Sequence, residues 1–299
     1  MKDKPAVRPD VAVGDALLAV VRDILGEARG AIDDPERSGA DAVHDYRKAM
    51  KRWRALLRLI EPFIGEDGSR LRIEARDLAR ELAGARDAQS ALDALADLRD
   101  IGDALAPGAI AAMQNRLAEI KQSAEATVLT ETMRGRLRAA LTGADLATGT
   151  WPLHGVAFSD LARELARAYG RARNAMPADW GRADAHSLHD LRQRVVTHRY
   201  QMDLVEPLWP RMGKLWLGEA QRLRDRLGAH HDLDMLTGLT QPHQLLARWR
   251  SRLAPLIAAR QDSHVRAAAK LAGRLFAERP KAFRRRLETL WATGGGTAD

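Results

Sequence analysis

Three His-Asp doublets, at 44–45, 189–190 and 231–232, are the first residues of this chain whose types could do chemistry. An imidazole beside a carboxylate can hold a catalytic divalent cation when further His and Asp ligands converge and few cations compete. Here each doublet stands among arginines. His44, Arg47, Lys51, Arg54 and Arg58 follow one another at i, i+3, i+7, i+10 and i+14. At ~100° per residue, that spacing places all five in one narrow sector of a helix. No acid falls within the sector, so its charges repel unless an anion lies among them. Arginine offers a planar fork of donors suited to phosphate oxygens, and lysine a mobile point charge. The chemistry this favours is capture of an extended anion with repeating charge. Metal-dependent hydrolysis of the HD type is the weaker alternative, and a His186/His189 metal pair is weaker still.

These side chains need a helix anchored in a core. Val43, Tyr46, Met50, Trp53, Leu57 and Ile60 recur at spacings of three and four, an apolar stripe directly beside the basic sector. The helix is expected to start near Ser38 or Asp41, both good N-caps, and to end at Glu61-Pro62, since proline disfavours helix in the residue before it. A preceding helix is expected over about 11–32. Gly65 and Gly68 mark a turn, a third helix covers about 69–83, and a fourth follows Ala85-Arg86-Asp87. Long amphipathic segments run over 109–141.

The chain then repeats itself. With His189 laid over His44, HDYRKAMKRWRALLRLIEPFI faces HDLRQRVVTHRYQMDLVEPLW. His44, Asp45, Arg47, Arg54, Leu59, Glu61 and Pro62 recur as His189, Asp190, Arg192, Arg199, Leu204, Glu206 and Pro207, and the register continues through Gly68/Gly213, Leu78/Leu223 and Asp87/Asp232. This is a tandem duplication. The expected organisation is all-α: two pseudo-symmetric antiparallel helical bundles, a first repeat over 10–145, a second over 150–292 and a flexible tail over 293–299, with the joint near 142–152. The second copy has lost two cations, with Val196 facing Lys51 and Asp203 facing Arg58, so the first should contribute more strongly. A further basic cluster surrounds Arg86, preceded by Arg76 and Arg80. Its second-copy counterpart is His231, preceded by Arg222, Arg224 and Arg226.

Composition narrows the class. At 45% hydrophobic and 29% charged, the chain is in the range of a folded protein, and at 5% aromatic it leaves little for base-stacking platforms. The formal net charge of +8 makes an anionic partner the first to consider. There is no cysteine, hence no disulfide or thiolate site. No run approaches the ~18 apolar residues of a membrane span, and no P-loop or nucleophile elbow is present. A cytoplasmic protein without membrane attachment or cofactor is expected.

The ordered set VHDYRKAMKRWRALLRL, LAGARDAQSAL, LHDLRQRVV and LGAHHDLDML, with the C-terminal GRLFAERPKAFRRRL, resembles the CHAD family, the conserved-histidine α-helical domain. The resemblance spans roughly residues 10–292 and implies one CHAD domain that binds inorganic polyphosphate without catalysis, with association with polyphosphate granules as a further implication. It places His44, Arg47, Lys51, Arg54, Arg86, His189, Arg192 and His231 on a basic surface between the halves. Lys48, Arg58, Arg76, Arg80, His198, Arg199, Arg222 and Arg226 complete the candidate set. About ten residues precede the first helix, so the catalytic triphosphate tunnel module carried by many relatives is expected to be missing. Nucleic acid is the rival partner, but no helix-turn-helix or zinc-finger signature supports it. Affinity is expected to rise from about pH 8 to 6 as His44 and His189 protonate, and Arg47→Ala with Arg54→Ala to weaken binding severely with the fold unchanged.

Overall fold

In the computed structural model, residues 4–84, 86–99 and 107–294 are described. Among them all regular structure is helical: α1 (Val13–Asp33), α2 (Gly39–Ile64), α3 (Glu66–Glu81), α4 (Arg86–Arg99), α5 (Pro107–Val128), α6 (Glu131–Thr148), α7 (Phe158–Asn174), α8 (Ala185–Asp203), α9 (Pro210–Leu239), α10 (Arg250–Leu275) and α11 (Pro280–Gly294). The helices follow the duplication. α7 and α8 stand where the register puts α1 and α2, α10 and α11 answer α5 and α6, and α9 is a fused counterpart of α3 and α4.

Within each copy the long basic helix is clamped by its neighbours, α2 by α1 and α3, and α8 by α7 and α9. The two then meet each other directly across the middle of the molecule. One continuous apolar core runs through both copies, drawing Leu17, Trp53 and Leu57 from the first and Leu165, Tyr169 and Leu191 from the second. A smaller core joins the copies again, where α4 and α5 pack Leu95 and Met113 against Leu233 and Leu236 of α9 and Leu253 of α10. The halves are therefore not free to separate without exposing apolar surface at ~25 cal/mol per Å2.

The α2 stripe is buried as its spacing requires, with Tyr46, Met50, Trp53, Leu57 and Ile60 each no more than 2% exposed. Ser38 is the N-cap, its hydroxyl accepting from the Asp41 amide at 3.1 Å. The C-terminal end departs from expectation. Pro62 lies inside α2, which runs to Ile64 before Gly65 turns the chain at φ 65°. Proline only forfeits one hydrogen bond this close to a helix end, and glycine supplies the left-handed turn. In the second copy α8 does stop early, at Asp203, and Glu206-Pro207-Leu208 form a 3-10 turn. Two other boundaries move. α6 continues to Thr148, so the joint between copies is shorter than 142–152, and Thr293 and Gly294 of the expected tail belong to α11. Residues 295–299 of that tail, and Ala85, lie outside the described residues.

The duplicated glycines have a shared cause. A Cβ on Gly68 would stand 2.9 Å from the Cα of Glu61, and one on Gly213 would stand 2.8 Å from the Glu206 side chain and 2.9 Å from its carbonyl oxygen. The recurring Glu-Pro pair, helical in the first copy and in a 3-10 turn in the second, thus needs a bare backbone opposite it in both. Gly68→Ala and Gly213→Ala should each destabilise by about 1–3 kcal/mol through overpacking, read as a lower urea midpoint. The outward-facing Gly143→Ala, which meets nothing within 4 Å, should not.

Candidate functional site

The facing of α2 and α8 makes a cavity of about 670 Å3, and its lining is overwhelmingly basic. α2 contributes His44, Arg47, Lys48, Lys51, Arg54 and Arg58; α4 contributes Arg86; α8 contributes His189, Arg192 and Arg199; and α9 contributes Arg224. Two carboxylates reach the lining, and each is already engaged. Glu27 and Asp23 of α1 hold the buried Arg52, and Asp203 holds Lys4 of the N-terminal segment. The acid that replaced a cation in the second copy is thereby neutralised.

Several polar atoms of the basin lack partners among the described residues. Arg54 Nε, Arg192 Nε and Arg199 Nε, all donors, are shielded from solvent with no hydrogen-bond partner, and so is His189 Nδ1, a donor or an acceptor according to its tautomer. Burying such donors unpaired is costly. Arg47 differs. Its Nη1 donates to the carbonyls of Ala79 and Leu82 at 2.9 and 3.0 Å, closing the C-terminal end of α3. An Arg47→Ala change therefore strips a helix cap as well as a charge, so the expectation of an unaltered fold does not suit that position. Arg58 reaches across to the Thr197 hydroxyl at 3.1 Å, and Gln201 donates back to the Ala55 carbonyl at 2.9 Å. These two contacts tie the basic helices to each other above the shared core.

Crowding shows in the titration of the site. Enclosure in the basin, then Arg86, Arg47, Arg224 and Arg192, push Lys51 down to about 8. His189 is pushed down to about 4, first by burial and then by His231, Arg192, Arg86 and His186. Its ring lies 4.5 Å from that of His231, which is depressed by the same causes, burial first. Arg192 and Arg58 are each lowered to about 10, chiefly by burial and then by neighbouring arginines. Charges from both copies act on the same groups.

Of the candidate residues, ten line the basin together. His231 touches it through His189. Arg76 and Arg80 stay outside at its rim, Arg76 paired with Asp77, though both act electrostatically on Arg54. Arg222 and Arg226 are exposed on α9, Arg222 bonded to Glu219 at 2.8 Å. His198 belongs to the core. It is 1% exposed, accepts from Trp216 Nε1 at 3.0 Å and lies among Tyr169, Phe276 and Phe283, where burial and then Arg286 push it down to about 3. Arg224 is the cation that sequence reasoning passed over in favour of its neighbours. The signal was present: Arg224 is seven residues before His231, hence on its face, while Arg222 and Arg226 are about 200° away. The doublet carboxylates do not converge. Asp45 accepts from Arg37, Asp190 from Arg194 and Asp232 from Ser90. Among the described residues no group of three His, Asp or Glu is arranged to hold a metal.

A CHAD domain family model matches residues 15–241, most of the chain. The chain belongs to the CHAD family. The crystal structure of the CHAD domain from the plant Ricinus communis superposes with a TM-score of 0.59 at 21% identity, covering 96% of this chain and 95% of that one. At that identity the likeness is one of fold. A search of curated proteins found no match. No helix among the described residues of this CHAD protein is long and apolar enough to cross a membrane.

Because the folded pKa values of His189, His198 and His231 lie below the ordinary histidine value of about 6.5, the unfolded chain binds more protons as pH falls. Stability should drop from about pH 6.5 downward, with His189 contributing until about pH 4. Inorganic phosphate added at constant ionic strength should raise the unfolding midpoint by relieving repulsion. His189→Asn should make the acid limb shallower, measured by thermal unfolding between pH 4 and 7.

Proposed function

We propose that this CHAD protein binds inorganic polyphosphate, without catalysis, in the basin between α2 and α8. The observation that carries the reading is the set of polar atoms unpartnered among the described residues, the Nε donors of Arg54, Arg192 and Arg199 and the Nδ1 of His189, converging from both copies on one cavity. An isolated phosphate could satisfy a few of them. A chain of phosphates, with a charge at each unit, matches a lane of cations one helical turn apart along α2 and continued by α8. The family resemblance points to the same ligand.

Nucleic acid is the second reading, since it shares the phosphate backbone. Sequence-specific binding would require groups that read base edges or stack on bases, and the basin holds one aromatic, Tyr200, against which Arg199 is laid at 5.3 Å. A polymer without bases fits better. Placement on polyphosphate granules follows from the same binding and belongs to this proposal.

The deciding experiment is titration with polyphosphate of defined lengths, in competition with single-stranded DNA and RNA. Polyphosphate should win, and preference for nucleic acid would overturn the assignment. Arg54→Ala with Arg192→Ala should weaken binding at least about tenfold and flatten its salt dependence, with unchanged circular dichroism. The pH window is revised by the structure. Lys51 titrates near 8 in the free protein, and a polyanion favours its protonated form. Affinity should therefore fall as pH rises through about 8, and Lys51→Arg should remove that loss. His189 adds affinity as pH falls below its raised pKa in the complex, a gain complete at its free value of about 4.

A further inference from the structure

Eight lysines stand against a great excess of arginine in this chain, and three of them reach the basin. Their surroundings differ. Lys4 is paired with Asp203. Lys48 borders a second hollow lined by Glu27, Asp33, Asp34 and Asp45, so carboxylates face it. Lys51, one turn further along α2, points among cations: Arg47 from its own helix, Arg86 from α4, Arg192 from α8 and Arg224 from α9. It is nevertheless exposed to solvent. An accessible amine walled by guanidinium groups combines two properties that seldom coincide. Enclosure in the basin, and after it the cations, hold part of the amine neutral near pH 8, and the cations present a docking place for a phosphate group beside it.

We infer that Lys51 is a site of acylation by small acyl phosphates, which dock their phosphate on Arg86, Arg192 and Arg224 and deliver the acyl group to the lysine. The neutral Nε attacks the acyl carbonyl carbon. A C–N bond forms, the bond from that carbon to the phosphate oxygen breaks, and inorganic phosphate leaves with the electron pair. The amine loses one proton to solvent or to the departing phosphate. The reaction needs no oxidant, metal or enzyme. The pKa of about 8 is consistent with the nucleophile, and Lys48 on the same helix is its internal control. Acylation removes one positive charge from the middle of the lane, so it would act as a brake on polyanion binding. This part rests on the basin being a phosphate-binding site.

The test exposes the intact protein to acetyl phosphate near pH 8 and follows each lysine by peptide mass mapping. Lys51 should be acetylated at least about tenfold faster than Lys48. The preference should shrink with acetic anhydride, which carries no phosphate, and under competing inorganic phosphate. It should also shrink in Arg192→Gln, whose fold is checked by circular dichroism. Equal rates at Lys48 and Lys51, or the same preference with either donor and undiminished by phosphate, would overturn the inference. Polyphosphate titration is run on the same preparations. Selective acetylation without polyphosphate binding would sink the proposed ligand and leave the modification standing; binding without selective acetylation would do the reverse. Lys51→Arg should bind polyphosphate and resist loss of affinity on acetyl phosphate treatment, whereas the unaltered protein should lose severalfold.

Discussion

The repulsion among cations held face to face between α2 and α8 is the constraint on which the rest of this structure turns. Among the described residues four side-chain nitrogens in the basin lack partners, and Lys51, Arg192 and His189 are driven toward their neutral forms, by burial first and then by neighbouring cations. Among the described residues the two carboxylates of the lining, Glu27 and Asp203, are engaged by Arg52 and Lys4 and offset little of this. The compensation comes from outside it, from the continuous core beneath both helices and from the second core that ties α4 and α5 to α9 and α10. Apolar burial fixes two like-charged surfaces at a distance that neither would choose. On the proposed reading, such a basin is strained in its free state and relaxed by a bound polyanion.

The acids are placed accordingly. Asp23 and Glu27 are spent on Arg52, the one α2 cation turned into the protein, and Asp203 on Lys4. Arg47 uses backbone carbonyls at the end of α3, where helix C-terminal oxygens carry partial negative charge. None of these arrangements draws charge away from Arg54, Lys51 or Arg192. The cations that hold the fold are thus settled locally, while Arg54, Arg192 and Arg199 keep an unpartnered Nε among the described residues, which separates two kinds of arginine more clearly than sequence position does.

The copies have specialised within the same plan. The first keeps a full lane on one helix and breaks its third helix, which brings Arg86 to the start of α4 and to the edge of the basin. The second runs α9 unbroken, and places Arg224 there from partway along it. Different residues of the repeat therefore supply corresponding charge. The substitutions that weaken α8, Val196 and Asp203, are offset by a cation from the neighbouring helix and one from the N-terminal segment.

By itself the sequence determined the helices, their duplication and the acid-free sector from His44 to Arg58, because helical periodicity and internal repetition are local properties of the chain. The same pattern named the buried stripe of α2. Tertiary structure alone decided that the two sectors face each other, because that depends on which apolar surfaces meet. It alone turned His198 into an aromatic core, left Arg222 and Arg226 on the outside, and brought Arg224 in. A basic residue looks the same in sequence whether it caps a helix, as Arg47 does, or faces a cavity with its Nε unpartnered among the described residues, as Arg54 does. The difference lies in what stands within hydrogen-bond reach, and only folding brings those groups together.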